Sequence, residues 1–138
     1  MPGKNSTRKK PSEADLRDLD TVIAFMEGLV RRDPDYVDAL QILGDHYTRR
    51  GRFTDGLRVD ERLARIEPKN PLVFYNLACS YSLTDEFDRA AFTLDYAIKL
   101  GYNDFKWLTR DPDLKKLRAQ PVFRELRKKI RRLTKPAQ

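Results

Sequence analysis

The sequence contains few side chains that could carry out covalent chemistry. It has one histidine, His46, and one cysteine, Cys79, so it can form neither an internal disulfide nor the full ligand set of a structural zinc site. A catalytic cysteine would also need an activating base or a positive environment beside it. The chain has no HExxH, GxSxG, GxGxxG or phosphate-loop motif. The sequence therefore predicts a protein that is not an enzyme and that holds no cofactor and no metal ion.

The composition describes a chain of ordinary domain size. Of its 138 residues 40% are apolar and 36% are charged, and its mean hydropathy is −0.70. A membrane-spanning helix needs about 18 consecutive apolar residues, and no stretch approaches that length. The N-terminal residues are basic and lack the apolar core of a secretory signal. We therefore expect one globular domain in the cytoplasm, with no membrane contact.

The positive charge is concentrated at the two ends. The net charge of the chain is +7, of which residues 1–11 carry +4 and residues 124–138 carry +6, so residues 12–123 carry −3. We expect residues 1–11 to be a disordered basic arm and residues 135–138 to be a tail. The basic ends have two interpretations from sequence: a solvated surface, or a contact with nucleic acid, ribosomes or another acidic surface.

The chain repeats itself with a period of 34 residues. Residues 12–36 match the second half of the repeating unit in the same register. Such a period is typical of stacked helical hairpins, in which each unit buries its apolar face against its neighbours. Ten pairs of apolar or small residues recur at this interval: Leu40 and Phe74, Leu43 and Leu77, Gly44 and Ala78, Tyr47 and Tyr81, Phe53 and Phe87, Gly56 and Ala90, Leu57 and Ala91, Leu63 and Ala97, Ala64 and Ile98, and Ile66 and Leu100.

Each repeat is predicted to form two helices with defined ends. Gly51 should end the first helix of the first repeat, and Gly101 should end the second helix of the second repeat, because glycine accepts a left-handed conformation. Asn70 should cap the helix that follows it. Thr84 should cap the helix at residues 87–100.

Small side chains mark the places where the two helices of a hairpin approach one another. Gly44 and Gly56 occupy these places in the first repeat, and Ala78 and Ala90 occupy them in the second. Larger side chains there would hold the helices apart, so the pattern predicts closely packed hairpins.

These positions resemble the tetratricopeptide repeat (TPR). The resemblance implies an all-α fold, a right-handed α-α superhelix of two full repeats with capping helices at both ends. It implies a single domain at residues 12–134, with a capping helix at 12–33, repeats at 37–70 and 71–104, and a closing segment and basic helix at 105–134. The residues that carry it are Leu40-x-x-Leu43-Gly44-x-x-Tyr47 with Gly51, Phe53, Gly56 and Pro68, and Phe74-x-x-Leu77-Ala78-x-x-Tyr81 with Phe87, Ala90 and Ala97.

Two residues depart from the repeat. Asp60 stands where Met26 and Leu94 stand in the neighbouring units, and a carboxylate that faces inward needs a partner. We expect Asp60 either to turn to solvent or to meet an arginine. Tyr102 replaces the proline that usually ends the unit.

The chain after the second repeat resembles the segment that closes the array in many bacterial TPR proteins. Its central motif is Asp111-Pro112-Asp113-Leu114, in which the proline disfavours helical geometry at the residue before it. The final helix is amphipathic and should pack onto the body or receive a partner helix through the stripe Phe123, Leu126, Ile130 and Leu133. The side chains expected to cover the open end of the stack are Trp107, Leu108, Leu114 and Leu117.

The TPR resemblance implies that partner segments bind on a concave surface lined by the first helix of each repeat. The residues predicted to line this groove are Asp38, Gln41, Asp45, Thr48 and Arg49 in the first repeat, and Leu72, Tyr75, Asn76, Cys79 and Leu83 in the second. The first set is acidic and the second is apolar and aromatic, which suits a segment with a basic end and an apolar anchor.

We therefore predict a protein-interaction module, a TPR adaptor or scaffold that binds a peptide or another protein and that is a monomer or a weak homodimer. Three alternatives stay open. The chain could be a nucleic-acid or ribosome-associated protein that uses its basic ends, it could be a small TPR chaperone, or its concave face could bind no peptide.

Overall fold

The computed structural model describes residues 10–136, so most of the predicted basic arm lies outside the described residues. Between these limits the chain is helical and contains no strand. The elements are α1 (Glu13–Arg32), α2 (Val37–Arg50), α3 (Phe53–Ile66), α4 (Pro71–Leu83), α5 (Phe87–Lys99), α6 (Phe105–Leu108), a 3-10 turn (Pro112–Leu114), α7 (Lys115–Arg118) and α8 (Phe123–Thr134). From α1 to α5 each helix packs against the next one in the chain. The prediction of an all-α helical repeat solenoid is confirmed.

The helix ends follow the local sequence signals with one exception. Gly51 and Gly101 have φ angles of 85° and 117°, in the left-handed region, where α2 and α5 end. Asn70 Oδ1 accepts a hydrogen bond of 3.0 Å from the backbone N–H of Leu72 at the start of α4. These three predictions are confirmed.

The predicted role of Thr84 is wrong. Its hydroxyl donates to the carbonyl oxygen of Ser80 at 2.9 Å, so the side chain bonds back onto α4 and Thr84 follows the last residue of that helix. The residue before α5 is Glu86, and it makes no side-chain capping bond. A threonine hydroxyl can bond to the helix on either side of it, and here it bonds to a carbonyl oxygen of the preceding helix.

Contacts between side chains repeat with the same period as the sequence. The Tyr47 hydroxyl donates to Glu27 Oε2, and 34 residues later the Tyr81 hydroxyl donates to Glu61 Oε2 at 3.2 Å. The same interval relates two bonds to carbonyl oxygens, one from Arg62 to Pro34 at 2.7 Å and one from Tyr96 to Pro68 at 3.4 Å. The donors Arg62 and Tyr96 are different residue types, yet both reach the equivalent carbonyl oxygen. The packing geometry therefore recurs even where the residue does not.

Glycine lets α2 and α3 approach closely where they cross. A Cβ atom on Gly44 would lie 3.2 Å from Asp60 Oδ1 and 3.3 Å from Val59 Cγ1. A Cβ atom on Gly56 would lie 3.2 Å from Thr48 Oγ1. All three distances are shorter than ordinary van der Waals contact, so the prediction of close approach at these glycines is confirmed.

Helix α4 joins two apolar clusters that together form the core. Val73 packs with residues of α1, α2 and α3, among them Ile23, Leu40 and Leu63. Tyr75, on the same helix, packs with residues of α5 and the C-terminal segment. The two repeats are therefore held together through α4.

Asp60 lies buried in α3, with 2% of its surface exposed. The hydroxyl of Ser80 on α4 donates a hydrogen bond to Asp60 Oδ2. The expectation that Asp60 turns to solvent is therefore wrong, and a serine hydroxyl supplies the polar contact that a buried carboxylate requires.

The C-terminal segment covers the end of the stack. Leu108, Leu114 and Leu117 are completely buried in the apolar cluster that contains Tyr75. Trp107 is half-buried and packs against that cluster. Phe123, Leu126 and Ile130 of α8 are also buried, whereas Leu133 is 53% exposed. Helix α8 therefore packs onto the body through most of its predicted stripe. From residue 10 to residue 136, no helix has both the length and the apolar character needed to cross a bilayer.

Candidate protein-interaction site

The predicted groove residues of α2 lie mainly on the surface. Asp38, Gln41 and Arg49 are exposed, and Asp45 is half-buried. Arg49 Nη1 lies 3.6 Å from Asp45 Oδ2, one turn apart on the same helix. Neighbouring residues of α2 pack into the core, so α2 separates a buried face from a polar, accessible one.

The predicted groove residues of α4 divide into two groups. Leu72, Asn76 and Leu83 are half-buried, while Tyr75 and Cys79 have no exposed surface. Leu72 and Leu83 are the counterparts, one period later, of Asp38 and Arg49. The structure thus leaves three of the five predicted side chains of α4 partly accessible.

For Thr48, Tyr75 and Cys79, the prediction that the side chain lines an open groove is wrong. The Thr48 hydroxyl donates to the carbonyl oxygen of Gly44 at 3.1 Å and packs beside Gly56 in the α2–α3 hairpin. The Tyr75 ring stacks on Tyr102, with ring centroids 4.1 Å apart.

A buried carboxylate, Asp111, explains why Tyr75 and Cys79 are covered. The Tyr75 hydroxyl donates to Asp111 Oδ2 at 2.7 Å, and Cys79 Sγ lies 3.7 Å from the same oxygen. Asp111 Oδ1 accepts a hydrogen bond of 2.9 Å from the backbone N–H of Asp113. We call this group, Tyr75, Cys79, Tyr102 and Asp111, the closing cluster.

Arg118 binds the backbone next to the closing cluster. Its Nη1 atom donates to the carbonyl oxygens of Leu108 and Asp111, at 2.9 and 2.8 Å. Burial lowers the pKa of the Arg118 guanidinium, and the nearby Asp111 carboxyl partly offsets that effect. Burial also raises the pKa of the Tyr75 hydroxyl well above its ordinary value. Tyr75 therefore stays protonated and acts as the hydrogen-bond donor.

Sequence reasoning missed Asp111, although one local signal was present. Proline at position 112 keeps Asp111 out of helical geometry, and its ψ angle of 118° turns the carboxylate back to cap the 3-10 turn. The sequence does not show that the same carboxylate also reaches α4, 36 residues away at Tyr75.

The two side chains considered for catalysis have structural environments. Cys79 is buried in the closing cluster, and His46 Nδ1 lies 2.8 Å from the carbonyl oxygen of Ile42 one turn earlier in α2. In the described part of the chain, no three His, Cys, Asp or Glu side chains are grouped so that they could hold a metal ion. The accessible α2 and α4 side chains can offer charge and apolar contact to a ligand.

Comparisons with known proteins found curated relatives that match part of this chain. No protein-family model and no solved structure matches the chain. Over 107 residues it is 30% identical to a chloroplastic protein of Arabidopsis thaliana, a match that covers 75% of this chain and 30% of that protein. Over 95 residues it is 36% identical to the peroxisomal targeting signal receptors of Komagataella phaffii and Komagataella pastoris, which covers 67% of this chain and 16% of each receptor.

The chain spans less than a third of the length of the curated relatives that it matches. The receptor similarity and the all-helical fold together fit a TPR-like array.

Proposed function

We propose that this chain is a non-catalytic TPR-like adaptor that binds a peptide or an extended segment of another protein. The binding surface is the α2–α4 face, defined by Asp38, Gln41, Asp45 and Arg49 of α2 and by Leu72, Asn76 and Leu83 of α4. The observation that carries the proposal is that α2 buries one side in the core and leaves Asp38, Gln41 and Arg49 exposed. Similarity to two proteins named as receptors of a targeting signal supports it.

The charges and apolar groups of the α2–α4 face favour one kind of ligand. Asp38 has no ion-pair partner in residues 10–136, so its carboxylate is available to a cation of the ligand. Leu72 and Leu83 offer partly exposed apolar surface. Since Tyr75 and Cys79 are covered, the apolar contact is aliphatic. The expected ligand is a segment with Lys or Arg at one end and an aliphatic residue that anchors it.

Charge reversal on α2 tests this proposal. The variant Asp38→Lys/Asp45→Lys reverses both carboxylates of the face, and Asp33→Lys/Asp88→Lys makes the same charge change at exposed positions elsewhere. Binding of fluorescent peptide pools, one basic and aliphatic and one acidic and aliphatic, is measured by anisotropy. We expect the first variant to weaken binding of the basic pool by about tenfold or more, or about 1.4 kcal/mol, and the control to retain it. Equal binding of the acidic pool, or retention by the first variant, would contradict the proposal.

Other features of the proposed adaptor remain predictions. We infer a cytoplasmic location, a bacterial-type array closed by the Asp111–Leu114 motif, and a monomer or weak homodimer. The small-chaperone alternative differs in its ligand, because a chaperone would protect an unfolded client, whereas an adaptor would bind a short defined segment. Sedimentation over a range of concentrations measures the oligomeric state, and an aggregation assay with an unfolded client separates the two functions.

A further inference from the structure

The cations of α8 fall into two groups, those that contact the body and those that face solvent. Arg127 Nη2 donates to the carbonyl oxygen of Arg118 at 2.8 Å, and its guanidinium lies 5.0 Å from the centre of the Phe123 ring. Lys129 Nζ lies 2.6 Å from Asp95 Oδ1 on α5. These two cations hold α8 to the body, together with its buried apolar side chains.

The other cations of α8 face solvent along one line. Arg124, Lys128, Arg131 and Arg132 are exposed and follow the spacing of a single helical face. We call these four residues the basic stripe. It extends about 12 Å along the helix axis, at about 1.5 Å per residue. Within residues 10–136 three of the four have no ion-pair partner, and Lys128 is paired with Glu125 at 3.3 Å.

The apolar face of α8 is not available to a membrane or to an anchored peptide. Basic amphipathic helices bind membranes by burying their apolar face in the lipid, but Phe123, Leu126 and Ile130 are already buried in this protein. The exposed Leu133 lies roughly 150° around the helix axis from the centre of the stripe. Apart from Leu133, exposed apolar surface near the stripe comes from Phe92 and Val122, which line a cavity with Arg132 at one edge of it. Since the stripe itself consists of four cations, binding along it comes mainly from charge, which favours a stiff polyanion with regularly spaced charges.

We propose that the basic stripe of α8 binds the phosphate backbone of double-stranded nucleic acid without reading its sequence. Arginine guanidinium groups suit phosphate because they can donate two parallel hydrogen bonds. Since residues 12–123 carry a net charge of −3, the rest of the body repels a polyanion and directs it to this end of the molecule. The basic stripe shares no residue with the α2–α4 face.

Salt dependence provides the test, because each phosphate contact releases counterions. Four contacts correspond to a slope of about −3.6 in log affinity against log salt, or about 150-fold weaker binding at 200 mM than at 50 mM salt. The N-terminal arm adds cations of its own, since residues 1–11 carry +4. The decisive quantity is therefore the difference in slope between variants of the full chain.

The experiment uses a fluorescent 20-base-pair DNA duplex of scrambled sequence and measures anisotropy from 50 to 200 mM salt. The variant Arg124→Gln/Arg131→Gln/Arg132→Gln should bind with a slope shallower by about 2.7. The matched control, Arg31→Gln/Arg65→Gln/Lys69→Gln, removes the same charge from exposed positions that have no ion pair among the described residues. We expect it to retain the wild-type slope. Circular dichroism checks that both variants remain helical.

Three results would overturn the proposal. One is a slope change below about 1.5 in the α8 variant, since fewer than two phosphate contacts would then be lost. Another is an equal loss in the control variant, which would assign binding to net charge. The third is tighter binding of phosphatidylserine vesicles or of a polyglutamate peptide than of the duplex at equal charge concentration, which would assign the stripe to a membrane or an acidic protein.

Discussion

Replacing Asp111 by alanine should release the closing segment from α4. The substitution leaves the buried Tyr75 hydroxyl without its acceptor, which costs about 1–3 kcal/mol. It also removes the side-chain cap of the 3-10 turn, which costs about 1 kcal/mol. We therefore expect the free energy of unfolding to fall by about 3 kcal/mol, and the melting temperature to fall by about 10 °C for a chain of this size.

A double-mutant cycle with Tyr75 isolates the bond itself. Tyr75→Phe keeps the ring that stacks on Tyr102 and removes only the hydroxyl that donates to Asp111. Combined with Asp111→Ala, it should cost less than the sum of the single changes, by about 1–2 kcal/mol, since no hydroxyl is left unpaired. Asp111→Asn keeps an acceptor oxygen and should cost less than alanine. Urea unfolding followed by circular dichroism measures all four variants.

The reasoning fails on either of two results. A loss below about 1 kcal/mol for Asp111→Ala would mean that the carboxylate does not hold the segment. Additive effects of the two substitutions would mean that Tyr75 and Asp111 do not interact, whatever their total cost.

Replacing glycine by alanine should change the free energy of unfolding in opposite directions at two positions. Gly51→Ala should lower the free energy of unfolding by about 1 kcal/mol because φ is 85° there. Gly28→Ala within α1 should raise it by about 0.5–1 kcal/mol, because alanine favours a helix and the added Cβ would lie 3.7 Å from its nearest atom. Thermal unfolding measures both changes, and changes in the same direction would refute this prediction. Burial of Asp95 acts to raise its pKa, but hydrogen bonds from Lys129 and Lys99 prevail and hold that pKa below its ordinary value. The contribution of this carboxylate is therefore complete above pH of about 4 and is lost as the pH falls through the lowered pKa. The deficit of Asp95→Asn in a urea titration should shrink as the pH falls from 7 to 2, and a deficit independent of pH would contradict this assignment.

Local patterns were sufficient to predict most of the architecture. The glycines at positions 51 and 101 end helices because a single dihedral angle decides that outcome, and the neighbouring residues hardly alter it. The small residues Gly44 and Gly56 lie where helices cross, because copies of one unit must pack in the same way. The predicted role of Thr84 was wrong because its hydroxyl can either accept from an N–H of the following helix or donate to a carbonyl oxygen of the preceding one, and the sequence does not rank the two.

The accessible part of the candidate site was less predictable than the fold. Register alone placed Tyr75 and Cys79 on the same surface as Gln41 and Asp45, their counterparts in the first repeat. In the first repeat these positions remain at least partly accessible, and in the second they are covered by the segment that contains Asp111. The two repeats are therefore equivalent in their helices, but only the second repeat is covered by the closing segment.

The sequence by itself determined the period, the paired helices of each repeat and the apolar stripe through which those helices pack, because these follow from dihedral preferences and from the spacing of apolar residues along the chain. Only the tertiary structure decided which polar groups meet: Ser80 with Asp60, Tyr75 with Asp111, and Lys129 with Asp95. These partners are 20, 36 and 34 residues apart. A hydrogen bond depends on distance and direction within a few tenths of an ångström, and those are set only when the helices and the closing segment have packed together.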